Sequence, residues 1–300
     1  MELLQLQYFR TVARLEHISK AAQELNIAQP SLSKTISRLE EDVGVPLFDR
    51  IGRQIQLNQY GRAFLRRVER IFTELEEGKR ELADLSGFSK ASISLAVTSP
   101  RVLPGLLGGF LASYPNTKFR QVISSTADMK RMLENSEVDF CISSPPIEGD
   151  GIESRHLLTE EVYLTVPPGH PLSARGSIDL REAAGEPFIN MKVGYGFRDI
   201  TDEFCRQAGF TPSFAFEGDE PAVIRSLVKA GLGVAFLPAL SWMVAPEPAP
   251  ERLHITNPVC QRTIGLAWLR GRYLSEAACY FQQYTVDFFA RIQSVLSSLS

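Results

Sequence analysis

The chain has 300 residues, 44% of them hydrophobic and 22% charged, with a formal net charge of −3. This composition is typical of a folded protein of about two domains and excludes a disordered chain. No apolar run reaches the roughly 18 residues of a membrane-spanning helix, and Glu2 gives no basic signal-peptide region, so we expect a cytoplasmic protein without a membrane partner.

The first sixty residues have the spacing of short helices followed by a small hairpin. We predict that Ser19 caps a second helix ending at Leu25, and that Pro30 opens a third helix ending at Gly44. The third helix has apolar residues on one face and hydroxyls and cations on the other. The two faces consist of Leu32, Ile36 and Leu39, and of Ser31, Ser33, Lys34, Ser37 and Arg38.

A helix, a short turn and a second helix with a polar outer face is the pattern of a helix-turn-helix DNA-binding motif. Amide, hydroxyl and cationic side chains can bond base edges or phosphates in the major groove. A three-helix bundle with a solvated polar face is the alternative that the pattern leaves open. The predicted DNA-binding residues are Ser19, Gln29, Pro30, Ser31, Ser33, Lys34, Arg38, Arg50 and, at the hairpin tip, Arg53.

Residues 59–85 have the pattern of a long amphipathic helix, with Asn58 as its predicted N-cap. Its apolar positions alternate in steps of four and three, as in a coiled coil, with one break at Gly78. A helix about 40 Å long has no core of its own, so we predict that it pairs with a second copy of the chain. The apolar positions are Phe64, Val68, Ile71, Leu75, Leu82 and Leu85.

From Ile93 onward, short apolar runs alternate with helical stretches, which predicts an α/β region with a mainly parallel sheet. We divide the chain into a DNA-binding domain of residues 1–58, a linker helix of residues 59–88 and an α/β domain of residues 89–300. The α/β domain has a first lobe of about 89–160 and 267–300 and a second of about 161–266. We expect the final helix, with Phe281 and Phe289, to pack on an earlier strand layer.

Hydroxyl-bearing residues follow several predicted strands of the α/β region. Ligands usually bind in clefts between lobes, and hydroxyls beside free N–H groups at helix starts suit a small carboxylate or similar anion. Each of these residues is equally suited to capping a helix, and that alternative stays open. The predicted ligand-binding residues are Thr98, Ser99, Arg101, Ser124, Ser125, Thr126, Ser143, Ser144, Lys192, Tyr195 and Phe197.

The segment from Ser19 to Arg50 resembles the N-terminal signature of LysR-type transcriptional regulators. The matching positions are Ala21, Ala22, Leu25, Gln29, Pro30, Leu32, Ser33, Ile36, Leu39, Glu40, Gly44, Pro46, Leu47, Phe48 and Arg50. The resemblance extends over the long helix and the α/β region. Ala28 departs from it, because many members carry Ser or Thr there, so the third helix must open without that cap.

The resemblance implies an α/β fold class with three parts. These are an N-terminal winged helix-turn-helix, a dimerising linker helix and a two-lobed effector domain similar to periplasmic binding proteins. It implies double-stranded DNA, a small-molecule effector and a second copy of the chain as partners, in a homodimer or a dimer of dimers. RNA polymerase is a further expected partner if the protein is an activator.

Other function classes find little support in the sequence. The four histidines have no metal-ligand spacing, and no G-x-S-x-G elbow is present, so we expect no metal, cofactor or catalytic residues. Cys141, Cys205, Cys260 and Cys279 lie among apolar neighbours and are predicted to be reduced core thiols. A redox-sensing regulator of the same family is the alternative, and an enzyme on a two-lobed fold is a remote one.

Overall fold

A computed structural model of the chain describes residues 1–51, 54–85, 92–218, 220–243 and 251–299. The chain divides into two compact units, Met1–Leu85 and Ser86–Ser300. Among the described residues, no helix combines the length and the apolar character that crossing a membrane requires.

The first unit is helical with one hairpin. Its elements are α1 (Leu3–Leu15), α2 (Ile18–Glu24), α3 (Gln29–Val43), β1 (Phe48–Ile51), β2 (Gln54–Leu57) and α4 (Gln59–Leu85). Leu32, Ile36 and Leu39 of α3 are buried, as predicted, in one core with Phe9 of α1 and Val68 of α4. The packing of this apolar stripe leaves the polar face of α3 outside.

The helix caps of this unit were predicted with mixed success. The Ser19 cap is wrong: His17 precedes α2, and its Nδ1 accepts the Lys20 backbone N–H at 3.3 Å, which leaves Ser19 inside the first turn. An imidazole nitrogen can accept a backbone N–H in place of a hydroxyl oxygen. The helix therefore begins at Ile18, earlier than predicted. The Asn58 cap of α4 is confirmed, because its Oδ1 accepts the Gly61 N–H at 2.9 Å.

The start of α4 is held tightly against the hairpin. The Asn58 amide donates to the carbonyl of Pro46 at 2.9 Å, and the Leu47 N–H donates to the Glu40 carboxylate of α3 at 2.8 Å. A Cβ at Gly61 would lie 2.1 Å from the Leu47 carbonyl oxygen. Helix α3, the hairpin and α4 are therefore fixed to one another.

The second unit alternates strands and helices, as the sequence predicted. Its strands are β3 (Ser92–Val97), β4 (Lys118–Ile123), β5 (Phe140–Ser143), β6 (Ile152–Val166), β7 (Ser177–Asp179), β8 (Pro187–Met191), β9 (Ser213–Gly218), β10 (Ala235–Pro238), β11 (Glu251–Asn257) and β12 (Gln261–Leu269). Its helices are α5 (Leu103–Ser113), α6 (Thr126–Glu134), α7 (Gly196–Gln207), α8 (Pro221–Lys229), α9 (Leu240–Met243) and α10 (Glu276–Leu299). Short 3-10 turns lie at Pro100–Val102, Pro171–Arg175 and Leu180–Ala183.

The main sheet is mixed, so the prediction of a mainly parallel sheet was wrong. Its order is β4-β3-β5-β12-β6-β11-β7, with β10 also paired to β6, while β8 and β9 form a separate pair. Strand β3 is parallel to β4 and β5, but β12 is antiparallel to both β5 and β6. The chain crosses between the two lobes once in each direction along β6 and β12, and two such neighbouring strands must be antiparallel.

Two aromatic cores define the lobes. Phe110, Phe140, Phe281 and Phe289 belong to the first, which places α10 against the strand layer as predicted. Phe188, Phe204 and Phe236 belong to the second. The packing of both cores around β6 and β12 leaves a cleft between them.

The crossing strands change cores partway along their length. On β6, Leu158 packs in the first core and Val162 in the second. On β12, Cys260 packs in the second core, whereas Ile264 and Leu266 pack in the first. Ile264 and Leu266 were assigned to the second lobe by the sequence boundary at residue 266. In the structure, β12 passes from the second core to the first between Cys260 and Ile264. The lobe to which each residue belongs depends on the core that its side chain contacts.

Candidate functional site

The outer face of α3 contains most of the predicted DNA-binding residues. Gln29, Pro30, Ser31, Lys34 and Arg38 are exposed and Ser33 is partly buried, while Ser19 is exposed in α2. Helix α3 begins after Ala28 without a side-chain cap and with Pro30 in its first turn, as predicted. The side chains of the first turn of α3 are therefore exposed to solvent.

The charge on this face is not compensated by acids. In the described part of the chain, neither Lys34 nor Arg38 has an acidic partner, whereas Arg10 of α1 lies 3.5 Å from Glu69 of α4. The backbone of Arg50 pairs with Ile55 in the hairpin. The Arg50 side chain and all of Arg53 lie outside the described residues.

A cleft opens between the lobes of the second unit. It encloses about 900 Å³ of empty space, part of it open to solvent. Both lobes contribute to its wall, and the predicted residues that line it are Thr98, Ser99, Arg101, Ser144, Tyr195 and Phe197. The first four come from loops after β3 and β5, and the last two from the start of α7. Segments that are 100 residues apart in sequence thus meet at one site.

The other predicted cleft residues lie outside this lining. Ser125 caps α6, since its Oγ accepts the Asp128 N–H at 3.2 Å and donates to the Asp128 carboxylate at 2.8 Å. Ser143 is fully buried and donates to the Pro145 carbonyl at 2.9 Å. Ser124 is partly buried and Lys192 is exposed. Ser125 therefore acts as a helix cap, and Ser143 bonds the backbone two residues further along the chain.

The start of α7 touches the first lobe directly. A Cβ at Gly196 would lie 2.4 Å from Cδ of Pro145 and 2.6 Å from Oγ1 of Thr126. Oγ1 of Thr126 and Oγ of Ser144 are buried and have no hydrogen-bond partner among the described residues. Two unbonded hydroxyls therefore lie beside a helix N-terminus, where backbone N–H groups and the helix dipole favour an anion.

A buried ion pair spans the crossing strands, and the sequence reading missed it. Glu160 on β6 and Arg262 on β12 lie 2.7 Å apart, and the Glu160 side chain is fully buried. Glu160 also accepts the Leu240 N–H at 2.6 Å, and the Arg262 guanidinium lies 5.1 Å from the centre of the Phe197 ring. Strand β6 also carries Glu153, Arg155 and Glu161, so no local signal in the sequence sets Glu160 apart.

A second missed residue is Arg225 on α8. Its guanidinium donates to the Ser241 carbonyl at 3.0 Å, lies 5.5 Å from the Trp242 ring centre, and has only 9% of its surface exposed. Ser241 lines the cleft, as does Arg101 from the other lobe. Burial, and then repulsion by the Arg225 cation, lower the pKa of Arg101.

Three of the four cysteines are buried in the effector domain. Cys141, Cys205 and Cys260 are buried, and burial raises the pKa of each thiol to about 12. Thiolates are the reactive form, so these thiols are poorly suited to sensing peroxide. Cys279 is exposed near the start of α10, so its prediction as a core thiol was wrong.

Two family models match most of the chain. The model for the bacterial regulatory helix-turn-helix protein of the lysR family covers residues 3–62, and the LysR substrate binding domain covers residues 89–290. The chain belongs to the LysR family of transcriptional regulators. The resemblance seen in residues 19–50 is therefore confirmed, together with the fold that it implied.

Individual relatives agree with this assignment. The HTH-type transcriptional regulator YybE of Bacillus subtilis strain 168 is 40% identical over 293 residues, covering 97% of this chain and 100% of YybE. Full-length CbnR complexed with its target DNA has a TM-score of 0.67 at 24% identity, covering 95% of this chain and 99% of CbnR. The effector binding domain of QuiR with shikimate has a TM-score of 0.59 at 24% identity, covering 68% of this chain and 99% of that domain.

The function class follows from family membership. The chain is a DNA-binding transcriptional regulator with an effector-binding domain, and its relatives are regulators and not enzymes.

Proposed function

We propose that the chain reads a specific sequence of double-stranded DNA with α3 in the major groove. The exposed, acid-free face bearing Gln29, Lys34 and Arg38 supports this role. Gln29 lies at the start of the helix, where recognition helices contact bases, and glutamine can bond adenine with both of its amide atoms. Lys34 and Arg38 suit phosphates or guanine. Ser31 and Ser33 supply hydroxyls, and Arg50 belongs to the hairpin that would flank the duplex. Arg53, which follows it in the sequence, is a further proposed DNA contact.

The effector in this proposal is a small carboxylate or similar anion bound in the cleft. The observation that carries it is the meeting of Thr98, Ser99 and Ser144 from one lobe with the N-terminus of α7 from the other. Hydroxyls converge there on a helix N-terminus, and the described residues of the lining include no acid. A ligand bound by both lobes favours one lobe arrangement by its difference in affinity for the two. That arrangement would then control DNA binding or transcription.

Sequence-specific reading can be tested with fluorescence anisotropy. The full chain should bind the duplex upstream of its own gene more tightly than a scrambled duplex of equal length. Gln29→Ala should reduce discrimination at one base pair by about 1–3 kcal/mol, because the bidentate contact is lost. Ser37→Ala, on the same helix, serves as the control. Equal affinity of the wild-type chain for both duplexes would contradict sequence-specific reading.

We further propose a homodimer, or a dimer of dimers, formed through α4. Its apolar residues Ile71 and Leu75 are 38% and 41% exposed, and Leu82 is 69% exposed. A lone helix of this kind is marginal in water, so pairing would stabilise it. DNA as the partner places the protein in the cytoplasm, and an activator would also contact RNA polymerase.

The dimer proposal can be tested by light scattering at micromolar concentration. Ile71→Asp with Leu75→Asp should yield monomers or insoluble protein, because two carboxylates in an apolar seam oppose pairing. Arg66→Asp with Arg70→Asp, at exposed polar positions of the same helix, should leave the oligomer intact. A folded monomer from the unmutated chain is incompatible with the proposal.

A further inference from the structure

Two carboxylates hold the hairpin of the first unit by its outer edges. The Glu16 carboxylate accepts the Leu57 N–H of β2 at 2.9 Å, from 41 residues away in the sequence. The Glu40 carboxylate of α3 accepts the Phe48 N–H of β1 at 3.2 Å. Phe48 and Leu57 are directly opposite each other in the hairpin. Two N–H groups that point away from the partner strand are thus each bonded to a carboxylate, and such bonds are stronger than those between neutral groups.

The orientation of the hairpin depends on these bonds. Strands β1 and β2 have four residues each, and within the described residues they pair with no other strand. An isolated two-stranded hairpin is marginally stable in water, so contacts with the helices keep it in place. Phe48, Ile55 and Leu57 pack in the core of the first unit, but apolar contacts are not directional. The hydrogen bonds at the two edges therefore fix the angle of the hairpin.

Glu16 has an unfavourable backbone conformation for a residue with a side chain. It ends α1 with a φ of +45°, in the left-handed region. A left-handed residue at the end of a helix is most often glycine, because a Cβ is strained there. Glu16 is also exposed, so its side chain buries little apolar surface. Its hydrogen bond to Leu57 is the side-chain contact that a glycine would lose.

The bond from Glu16 connects the hairpin to the helices that hold α3. Helices α1 and α3 share one core, in which Phe9 and Leu39 are buried. Glu16 ends α1, and the next residue, His17, caps α2. The bond to Leu57 therefore fixes β2 relative to the helix-turn-helix. Residues that contact a ligand are held in place by others that do not touch it.

We propose that Glu16 is a positioning residue for DNA reading, which holds the hairpin so that hairpin and α3 meet the duplex in one register. This inference rests on the proposed reading of DNA by α3. Glu16 acts through β2 and contacts no base itself. Without the bond, the hairpin takes up several angles, so contacts that depend on the base sequence weaken. The attraction of cations to phosphates does not depend on that register and remains.

The test compares three substitutions of Glu16 in the full chain. Glu16→Gly removes the bond and the backbone strain together, whereas Glu16→Ala removes the bond and keeps the strain. Glu16→Gln keeps an oxygen that can accept the Leu57 N–H. Fluorescence anisotropy gives the affinities for the duplex upstream of its own gene and for a scrambled duplex of equal length. The ratio of these affinities is the discrimination, and thermal melting gives the stability.

The three variants should separate discrimination from stability. Glu16→Gly and Glu16→Ala should both lower discrimination by about tenfold, through weaker binding of the specific duplex. The glycine variant should melt at a higher temperature than the alanine variant, because alanine is strained at a positive φ. Glu16→Gln should keep discrimination within a few-fold of the unmutated chain. Discrimination thus follows the hydrogen bond, whereas a purely structural role would make it follow stability.

Two further variants control for charge and for the glycine. Glu41→Gln removes an exposed acid from α3 and should leave discrimination unchanged. Ser136→Gly replaces another residue of positive φ, +55°, in the effector domain. It relieves backbone strain in the same way and should leave DNA binding unchanged.

The outcomes distinguish this inference from the proposed function. If discrimination is lost in Glu16→Ala but kept in Glu16→Gly, Glu16 is a structural residue and the positioning role is wrong. The role is also overturned if both variants keep discrimination, or if Glu16→Gln loses as much as Glu16→Ala, and in these cases reading by α3 stands. If the unmutated chain does not distinguish the two duplexes, sequence-specific reading and the role of Glu16 are both wrong.

Discussion

The α3 face and the cleft both present cations without acidic partners, but they do so in different surroundings. Lys34 and Arg38 are exposed to bulk water, whereas Arg101 in the cleft is partly buried. Charges in bulk water are screened within about 8 Å at physiological salt, and buried charges are screened much less. The exposed pair is therefore suited to a long polyanion, with an affinity that falls with salt. Arg101 in the cleft is suited to one small anion that replaces the water it loses on burial.

The first and largest expected effect concerns Arg262, the cleft arginine that does have an acidic partner. Arg262→Met should destabilise the effector domain by about 3–5 kcal/mol, because it leaves Glu160 buried without a counter-charge. Urea unfolding of the full chain measures this loss. Glu160→Met with Arg262→Met should recover much of it, since an apolar pair carries no desolvation cost.

The control for this effect is Arg270→Met. Arg270 pairs with Glu153 at 3.1 Å on the surface, and exposed pairs contribute about 0–1 kcal/mol. Equal destabilisation by Arg262→Met and Arg270→Met would show that burial does not distinguish the two pairs.

The second prediction tests the exposed cations. Lys34→Ala with Arg38→Ala should lower DNA affinity by about a hundredfold at low salt and reduce the magnitude of the salt slope by about 2 for each bound chain. Anisotropy titrations across a salt series measure both quantities. Lys118→Ala with Arg120→Ala, cations on β4 of the effector domain, provides the matched control. If the salt slope of this variant equals that of the wild type, Lys34 and Arg38 do not contact the phosphate backbone.

The smallest expected effect concerns the hydroxyls. Thr98→Val should weaken binding of a small carboxylate effector several-fold, because it removes a hydroxyl hydrogen bond of about 1 kcal/mol. DNA binding without effector should be nearly unchanged. Ser125→Ala should instead lower stability by about 1 kcal/mol without changing that affinity, because Ser125 caps α6. Calorimetry beside a DNA titration separates the two. Loss of DNA binding in Thr98→Val without ligand would make Thr98 a structural residue.

The polar face of α3 could be predicted from sequence because its residues are close together in the chain. The stripe formed by Leu32, Ile36 and Leu39 fixes which face of α3 is buried, and the polar face follows from helix geometry alone. The cap at His17 was missed because a ring nitrogen takes the place of the usual hydroxyl. Both facts depend on interactions within a few residues.

The cleft was predicted only in part because it is assembled from distant segments. Thr98 and Ser144 follow recognisable strands, so their position could be inferred. Arg225 lies in the amphipathic sequence "PAVIRSLVK", where a cation is usually part of a solvated face. Its burial depends on Ser241 and Trp242, which pack against it from further along the chain. The antiparallel pairing of β6 with β12 is likewise a long-range property with no local signal.

The close contact at Gly61 has a consequence for the proposed dimer on DNA. A single methyl group there would meet the Leu47 carbonyl at 2.1 Å, so the direction in which α4 leaves the hairpin is set by the absence of a side chain. In a dimer formed through α4, that direction determines how far apart the two copies of α3 lie. That distance corresponds to the spacing between the two half-sites on DNA, where one helical turn is roughly 10 base pairs. In the proposed dimer, Gly61 would therefore help to set the spacing between half-sites.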